Sequence, residues 1–177
     1  MPVSRRSAPV RFGSVRAKPP LSFAGQRIGL LGGSFNPPHE AHALISRIAL
    51  ERLGLDQLWW MVTPGNPLKS KAELATLEDR LTACRALMPD PRVKITAFEA
   101  ELPSAYTAAT LAFLTARNPG VRFVWVMGAD NLSGFHKWQH WRQIAETMPI
   151  AVVNRPGHRL RALSSRAAIS LARARVP

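Results

Sequence analysis

Short apolar runs that alternate with helix-like stretches constrain the fold of this chain more than any other feature of its sequence. The runs LWWMV (58–62) and RFVWVM (122–127) are almost wholly apolar. Strands of this composition are buried on both faces, as in parallel sheets covered by helices. Further strands are predicted at 27–31, 93–96 and 150–153. Helices are predicted at 39–53, 76–88, 106–117 and 163–174, and a tryptophan-rich connection and helix are predicted before the fifth strand. The pattern therefore predicts an α/β, Rossmann-like, doubly wound and mainly parallel sheet of five or more strands, with helices on both faces.

The first two helices carry additional signals. Thr76 and Asp79 have the spacing of a capping box, so the second helix is predicted to begin after Thr76. Helical spacing predicts an inward face for the first helix that consists of Ala41, Leu44, Ile45, Ile48 and Ala49.

The formal net charge of +13 is concentrated at the two ends of the chain. Residues 1–27 carry six Lys and Arg, residues 155–177 carry six Arg, and neither segment contains an acid. A nucleic-acid-binding domain would spread its basic surface over the fold, so we expect no specific nucleic-acid partner. We interpret 1–26 as a flexible basic leader and 27–177 as one domain. A transit peptide is the alternative for the leader, although Pro19-Pro20 and the lack of an amphipathic period disfavour it.

The single cysteine and the absence of a long apolar stretch indicate the compartment. Cys84 alone cannot form an intramolecular disulfide or a multi-cysteine zinc site, and it fits a reducing environment. No stretch approaches the roughly 20 apolar residues that a membrane-spanning helix needs. We therefore expect a cytoplasmic protein with no membrane partner, and the sequence leaves its oligomeric state open.

The stretch GGSFNPPHEAH (32–42) joins the first predicted strand to the first predicted helix. Gly32 and Gly33 lack a Cβ, which would let the backbone turn and let a phosphate or ribose approach its N–H groups. The prolines that follow preset the entry into the helix. His39 and His42 are three residues apart, so both point from one face of the first helical turn, where the helix dipole favours an anion.

Two imidazoles at such a position can donate hydrogen bonds to phosphate oxygens as charge develops, which suits phosphoryl or nucleotidyl transfer. An ordinary strand-to-helix turn with one packed histidine is the structural alternative. A zinc pair is less compatible, because metal-binding histidines on a helix are more usually four residues apart and no third ligand is evident. We therefore expect no metal site built from protein side chains.

The same stretch resembles the signature of the nucleotidylyltransferase superfamily, G-x-F-[DN]-x-x-H-x-G-H. Its GGSFNPPH form is similar to the bacterial nicotinate-mononucleotide adenylyltransferase family in particular. The resemblance covers about 27–163, because later segments match that family in the same order. These segments are TPGNPLK (63–69), SAYTAATL (104–111), MGADNLSGFHKWQHW (127–141) and VVNRPG (152–157).

The resemblance implies transfer of AMP from ATP to nicotinate mononucleotide, which gives deamido-NAD and pyrophosphate. Mg²⁺ is implied as the companion of ATP, and no covalent enzyme intermediate is expected. The implied catalytic residues are His42 and His39. The implied ATP-binding residues are Gly32, Gly33, Ser34, Phe35, His39, His42, Lys69, Gly128 and Asp130. The implied nicotinate-mononucleotide-binding residues are Asn36, Tyr106, Thr107, Trp138 and Arg155.

Several of these residues suit their implied roles chemically. Gly128 to Asp130 are expected to end the fourth strand, where Asp130 can accept from a ribose hydroxyl or a magnesium-bound water, or can simply cap a helix. Trp138 can stack on a pyridine ring. Lys69 is a point charge suited to a polyphosphate, although a loop lysine is otherwise a solvated surface residue. The three strand tryptophans, Trp59, Trp60 and Trp125, are expected in the core.

Two departures from the family pattern affect these expectations. Ala41 replaces the glycine of H-x-G-H, and we expect it to be tolerated. LSSRAAI (163–169) differs from the late family segment I-S-S-T-x-[IL]-R, because Arg166 stands in place of Thr and Ile169 in place of Arg. We expect LSS to cap an ordinary helix. We also expect a domain that is truncated at its C-terminal end and lacks the S-S-T-x-x-R segment.

Three alternatives remain at the level of sequence. The same chemistry could use another acceptor, such as nicotinamide mononucleotide or phosphopantetheine, although Tyr106, Thr107 and Trp138 favour the pyridine acid. A basic nucleic-acid-binding module that kept the fold would bind with steep salt dependence. An inactive truncated fragment would show neither property.

Overall fold

A computed structural model describes residues 18–64, 74–104, 106–154 and 162–176. The strands are β1 (Arg27–Gly33), β2 (Gln57–Val62), β3 (Val93–Thr96), β4 (Arg122–Gly128) and β5 (Ile150–Val153). The helices are α1 (Glu40–Arg52), α2 (Leu77–Leu87), α3 (Thr107–Arg117), α4 (Ala129–Gly134), α5 (Trp141–Thr147) and α6 (Arg166–Ser170). Single 3₁₀ turns span Phe98–Glu101, Phe135–Lys137 and Ala172–Ala174. No helix within the described ranges has the length and apolar character needed to cross a membrane.

The strands form one parallel sheet in the order β3-β2-β1-β4-β5. β1 pairs with β2 from Ile28 and Gln57 up to Gly33 and Val62, and on its other side it pairs with β4. The strand order reverses between β1 and β4, and ligands of such sheets bind in the crevice outside the carboxyl ends at this switch point. The predicted doubly wound α/β fold is thereby confirmed.

Two apolar layers enclose the sheet because successive strand residues point to opposite faces. Trp60 belongs to the layer beneath α1 and α2, whereas its neighbour Trp59 belongs to the layer beneath α3 and α5. Trp125 lies in the second layer, and all three strand tryptophans are fully buried. The expectation that they form the core is confirmed.

Most element bounds lie within one residue of the sequence prediction, and three differ by more. Gly32 and Gly33 continue β1 by pairing with β2 instead of ending it. Asp130 does not end the fourth strand, because α4 begins directly after Gly128. The last helix is shorter than 163–174, since it ends at Ser170 and a 3₁₀ turn follows. Its N-cap is Ser165, whose side chain accepts from the backbone N–H of Ala168 at 3.3 Å, so LSS does cap an ordinary helix.

Residues 18–26 cross the amino ends of the strands and contact the body. The Gly25 N–H donates to the carbonyl of Gly120 at 2.8 Å, and the Ser22 hydroxyl donates to the Asn118 side-chain oxygen at 3.0 Å. Residues 1–17 of the predicted leader lie outside the described residues. The domain boundary at 26/27 therefore stays a prediction.

Candidate active site

The carboxyl end of β1 is shaped by close packing against the neighbouring strand. A Cβ on Gly32 would lie only 2.6 Å from Cη2 of Trp125 in β4, so a larger residue at this position would require the buried Trp125 ring to shift. Gly33 is less constrained, since its added Cβ would lie 3.3 Å from the ring of Phe35. The requirement for glycine at position 32 thus includes a packing reason that the sequence analysis did not anticipate.

The sharp turn after β1 occurs at Phe35 and not at the glycines. Phe35 has φ = +47°, a left-handed conformation that is uncommon outside glycine. Its side chain is buried, stacked on Trp60 at a centroid distance of 4.9 Å and 4.7 Å from the ring of His42. The aromatic anchor therefore holds the loop between β1 and α1 against the core.

His39 and His42 meet at the N-terminus of α1. His39 is the N-cap residue and His42 is the third helical residue, and their ring centroids are 4.0 Å apart. Nδ1 of His42 accepts a hydrogen bond from the backbone N–H of His39 at 3.2 Å. This bond favours the neutral tautomer of His42 that carries its proton on Nε2, in which Nε2–H is a donor at the positive end of the helix dipole.

A buried polar link fixes this first turn of α1 to the sheet. The Trp60 indole N–H donates to the Ser46 hydroxyl at 2.7 Å, and that hydroxyl donates to the His42 carbonyl at 2.8 Å. Ser46 is fully buried. Ser46 was not predicted from the sequence, where its only signal is its place four residues after His42.

Arg80 of α2 is a second residue that the sequence analysis missed. Its side chain is buried, and its guanidinium donates to the carbonyls of Ser34 and Thr63, each at 2.7 Å, and of Ala75 at 3.0 Å. Burial lowers the pKa of Arg80 from its ordinary value. The available signal was its position three residues after Leu77 and four before Cys84, the spacing of one helix face.

Asn36 ties the same loop to the start of α2. Its side-chain oxygen accepts from the backbone N–H of Ala75 at 3.1 Å, and the residue is otherwise exposed. The implied contact of Asn36 with nicotinate mononucleotide stays a prediction.

The carboxyl end of β4 lies beside the first turns of α1. A Cβ on Gly128 would lie 3.2 Å from Cδ1 of Ile45 and would collide with Oδ1 of Asp130. Asp130 is exposed and occupies the first turn of α4, whose N-cap is Gly128, so Asp130 is not the helix cap. Because β1 and β4 are adjacent parallel strands, Asp130 lies at the same sheet edge as the loop after β1.

The residues implied for the pyridine nucleotide come from two further segments. Trp138 is half-buried and packs edge-on against Trp125 at 6.0 Å and Phe135 at 5.4 Å, so Trp125 contacts both Gly32 and Trp138. Tyr106 is the exposed N-cap residue of α3, which Thr107 begins. Since α3 leads from β3 to the parallel strand β4, it begins at the carboxyl edge of the sheet.

Two of the implied residues, Lys69 and Arg155, lie outside the described residues.

Within the described ranges, no three His, Cys, Asp or Glu side chains form a cluster that could hold a metal ion. Asp130 is a carboxylate at the sheet edge, and Mg²⁺ is usually held by one or two carboxylates together with substrate phosphates. A single carboxylate at this edge is compatible with a divalent ion that is held mainly by substrate phosphates.

Comparison with known proteins gives a consistent family. The family model described as cytidylyltransferase-like matches residues 30–175. A probable nicotinate-nucleotide adenylyltransferase of Agrobacterium fabrum is 65% identical over 149 residues, which is 84% of this chain and 80% of the relative. One of Rhizobium johnstonii is 59% identical over 157 residues, covering 89% and 79%.

A solved structure supports the fold. It is the Plasmodium falciparum nicotinic acid mononucleotide adenylyltransferase complexed with NaAD, with a TM-score of 0.62 and 15% identity. The match covers 79% of this chain and 80% of that one, and at this identity it speaks for the fold alone.

Proposed function

This chain belongs to the cytidylyltransferase-like family, and from that premise we propose that it is a nicotinate-nucleotide adenylyltransferase of NAD biosynthesis. Its substrates are ATP and nicotinate mononucleotide, and its products are deamido-NAD and pyrophosphate. The observation that carries the proposal is the pair His39 and His42 at the N-terminus of α1, beside the point where the strand order reverses. The proposal also accords with the names of relatives 59% and 65% identical to the chain.

The reaction is a direct displacement at phosphorus. A 5′-phosphate oxygen of nicotinate mononucleotide forms a bond to the α-phosphorus of ATP, and the bond to the bridging oxygen of the β-phosphate breaks as pyrophosphate leaves. Negative charge spreads over the transferring group, so positioned donors supply most of the stabilisation. His42 provides Nε2–H and the N-terminus of α1 provides a positive dipole end, with His39 beside them.

The ATP site proposed for this chain lies at the carboxyl ends of β1 and β4. The backbone of the residues after β1 contacts the nucleotide, and Asp130 accepts from a ribose hydroxyl or from a metal-bound water. Lys69 adds a charge for the polyphosphate. The proposed contacts are Gly32, Gly33, Ser34, Phe35, His39, His42, Lys69, Gly128 and Asp130.

The acceptor site proposed beside it is built around a half-buried aromatic ring. Trp138, held edge-on by Trp125 and Phe135, offers a flat surface to the pyridine ring. The proposed contacts are Asn36, Tyr106, Thr107, Trp138 and Arg155.

Nucleotidyltransferases of this kind generally use a divalent metal ion with ATP. For this chain we propose Mg²⁺, bound to the phosphates of ATP, with Asp130 as the nearest candidate carboxylate. The metal would neutralise phosphate charge, while the protein orients the two nucleotides. We also propose that the reaction takes place in the cytoplasm, where the ATP that it consumes is available.

Purified protein with ATP, Mg²⁺ and nicotinate mononucleotide is expected to form deamido-NAD and an equal amount of pyrophosphate. With nicotinamide mononucleotide in its place, kcat/KM is expected to fall by about tenfold or more, because the acceptor site is proposed to recognise the pyridine acid. Product is measured by chromatography. Equal rates with the two acceptors would overturn the proposed acceptor, and no turnover with either would reject the function.

A further inference from the structure

We propose that Arg80 is a positioning residue for the ATP-facing loop between β1 and α1. This inference rests on the proposed function, because it concerns how that loop is prepared for ATP. Arg80 is 2% exposed, and its planar fork of donors reaches carbonyls in three separate segments. The segments are the loop after β1 at Ser34, the end of β2 at Thr63 and the residues before α2 at Ala75.

The guanidinium is used for hydrogen bonds to backbone and not for an ion pair. Within the described ranges, the ion pairs are Arg47 with Glu40 and Arg92 with Asp90, and none includes Arg80. A buried charge is costly unless its donors are satisfied. Arg80 meets that requirement with carbonyl oxygens, at distances of 2.7 Å to both Ser34 and Thr63. An apolar side chain could fill the same space but could not join these carbonyls.

The bond to Ser34 restrains the conformation of the next residue. The Ser34 carbonyl belongs to the same peptide plane as the Phe35 N–H, and rotation of that plane about the N–Cα bond of Phe35 is the angle φ. Phe35 holds φ = +47°, which costs a residue with a Cβ about 1–2 kcal/mol. Strained backbone of this kind persists only where its surroundings hold it. Arg80 holds the carbonyl side of the plane, and the stacked ring of Phe35 holds the other.

The same peptide plane orients the Phe35 N–H, which is proposed to contact ATP. In a trans peptide the N–H points away from the carbonyl, so the Phe35 N–H points away from the guanidinium. The end of β2 is fixed by the same side chain, and the Thr63 N–H donates to the Gly33 carbonyl at 3.0 Å. Arg80 therefore holds two neighbouring parts of the backbone, which are the Ser34–Phe35 peptide after β1 and the end of β2.

Three variants test the inference. Arg80→Lys keeps the charge and much of the length but cannot reach three carbonyls at once, and Arg80→Met keeps only the packing. Cys84→Ala is the matched control, because Cys84 is buried one turn later on the same side of α2 and packs in the apolar layer beneath that helix. Folding of each is checked by circular dichroism and thermal unfolding before kinetics.

Both Arg80 variants are expected to raise the KM for ATP by roughly tenfold. This is the effect of losing one hydrogen bond to a charged group, here the contact proposed between the Phe35 N–H and ATP. The KM for nicotinate mononucleotide should change by less than about twofold, and Cys84→Ala should leave both values unchanged. Recovery of the wild-type KM for ATP in Arg80→Lys would overturn the inference, since charge alone would then suffice. Failure of both variants to fold would also overturn it, because Arg80 would then serve stability. A wild-type protein without turnover would instead reject the proposed function.

Discussion

His42 shows how a single side chain is prepared by its neighbours. Its Nδ1 accepts from the backbone N–H of His39, which favours the tautomer with the proton on Nε2. Its ring packs near Phe35, which restricts its orientation. In this tautomer the imidazole donates through Nε2, which suits the stabilisation of charge that develops on a phosphoryl group.

Substitution of His42 by Ala is expected to lower kcat by about 10²–10³-fold, the usual effect of removing one donor that stabilises developing charge. The KM for ATP should change much less, because the donor acts mainly in the transition state. Steady-state kinetics with both substrates varied measures this. Leu44→Ala is the control, since Leu44 lies on the same helix with 41% of its surface exposed. An equal kcat loss in the two variants would contradict the role given to His42.

At the scale of elements, α1 is held in place by a polar contact within an apolar interface. Leu44 was predicted to face inward, yet it is exposed, whereas Ala43 and Ser46 are fully buried. Hydrophobic spacing could not identify this serine, because its burial depends on the indole N–H of Trp60 from β2. The Ser46 hydroxyl in turn donates to the His42 carbonyl, which fixes the turn that carries both histidines.

Ser46→Ala is expected to lower the free energy of unfolding by about 1–3 kcal/mol, because it leaves the buried indole N–H of Trp60 without a partner. Chemical denaturation of the variant measures this. The double variant Ser46→Ala with Trp60→Phe removes both partners, so its loss should be smaller than the sum of the two single losses. Strict additivity would show that the hydrogen bond contributes nothing.

At the scale of the whole molecule, the pH dependence of stability can be related to a carboxyl group that is buried beside α3. Glu99 lies in the 3₁₀ turn between β3 and α3 and is 7% exposed, and the Thr110 hydroxyl donates to its Oε1 at 2.8 Å. Burial raises the pKa of Glu99, and the hydrogen bond from Thr110 only partly opposes this. The folded protein therefore retains a proton on Glu99 at pH values where the unfolded chain has released it.

This raised pKa predicts how stability changes with pH. The contribution of Glu99 is fully present below the ordinary glutamate pKa of about 4.3 and is lost as the pH rises through its higher folded-state pKa. Glu99→Gln cannot ionise, so its stability relative to wild type should increase from pH 4 to pH 8. Thermal unfolding across that range tests this, with the exposed Glu101→Gln as the control for net charge. A constant difference between Glu99→Gln and wild type would contradict the prediction.

Local patterns along the chain determined the order of the elements, the parallel sheet and the placement of two histidines on the first turn of α1. The bounds of β3 and β5 were predicted exactly, and the cap of α2 at Thr76 is confirmed by its bond from the Asp79 N–H. Periodicity, capping and turn chemistry act over a few residues, which is why sequence alone determines them. The ligand roles of Asn36, Tyr106, Thr107 and Trp138 remain predictions.

Only the tertiary structure decided what holds the candidate site in shape. Arg80 and Ser34 are hydrogen-bonded although they are 46 positions apart in the chain. Gly32 lies close to Trp125 because β1 pairs with β4. Such contacts depend on strand order and on helix packing, which bring distant residues to one edge of the sheet. A local pattern carries no information about the partner, so the sequence identified the groups proposed for the chemistry but not those that position them.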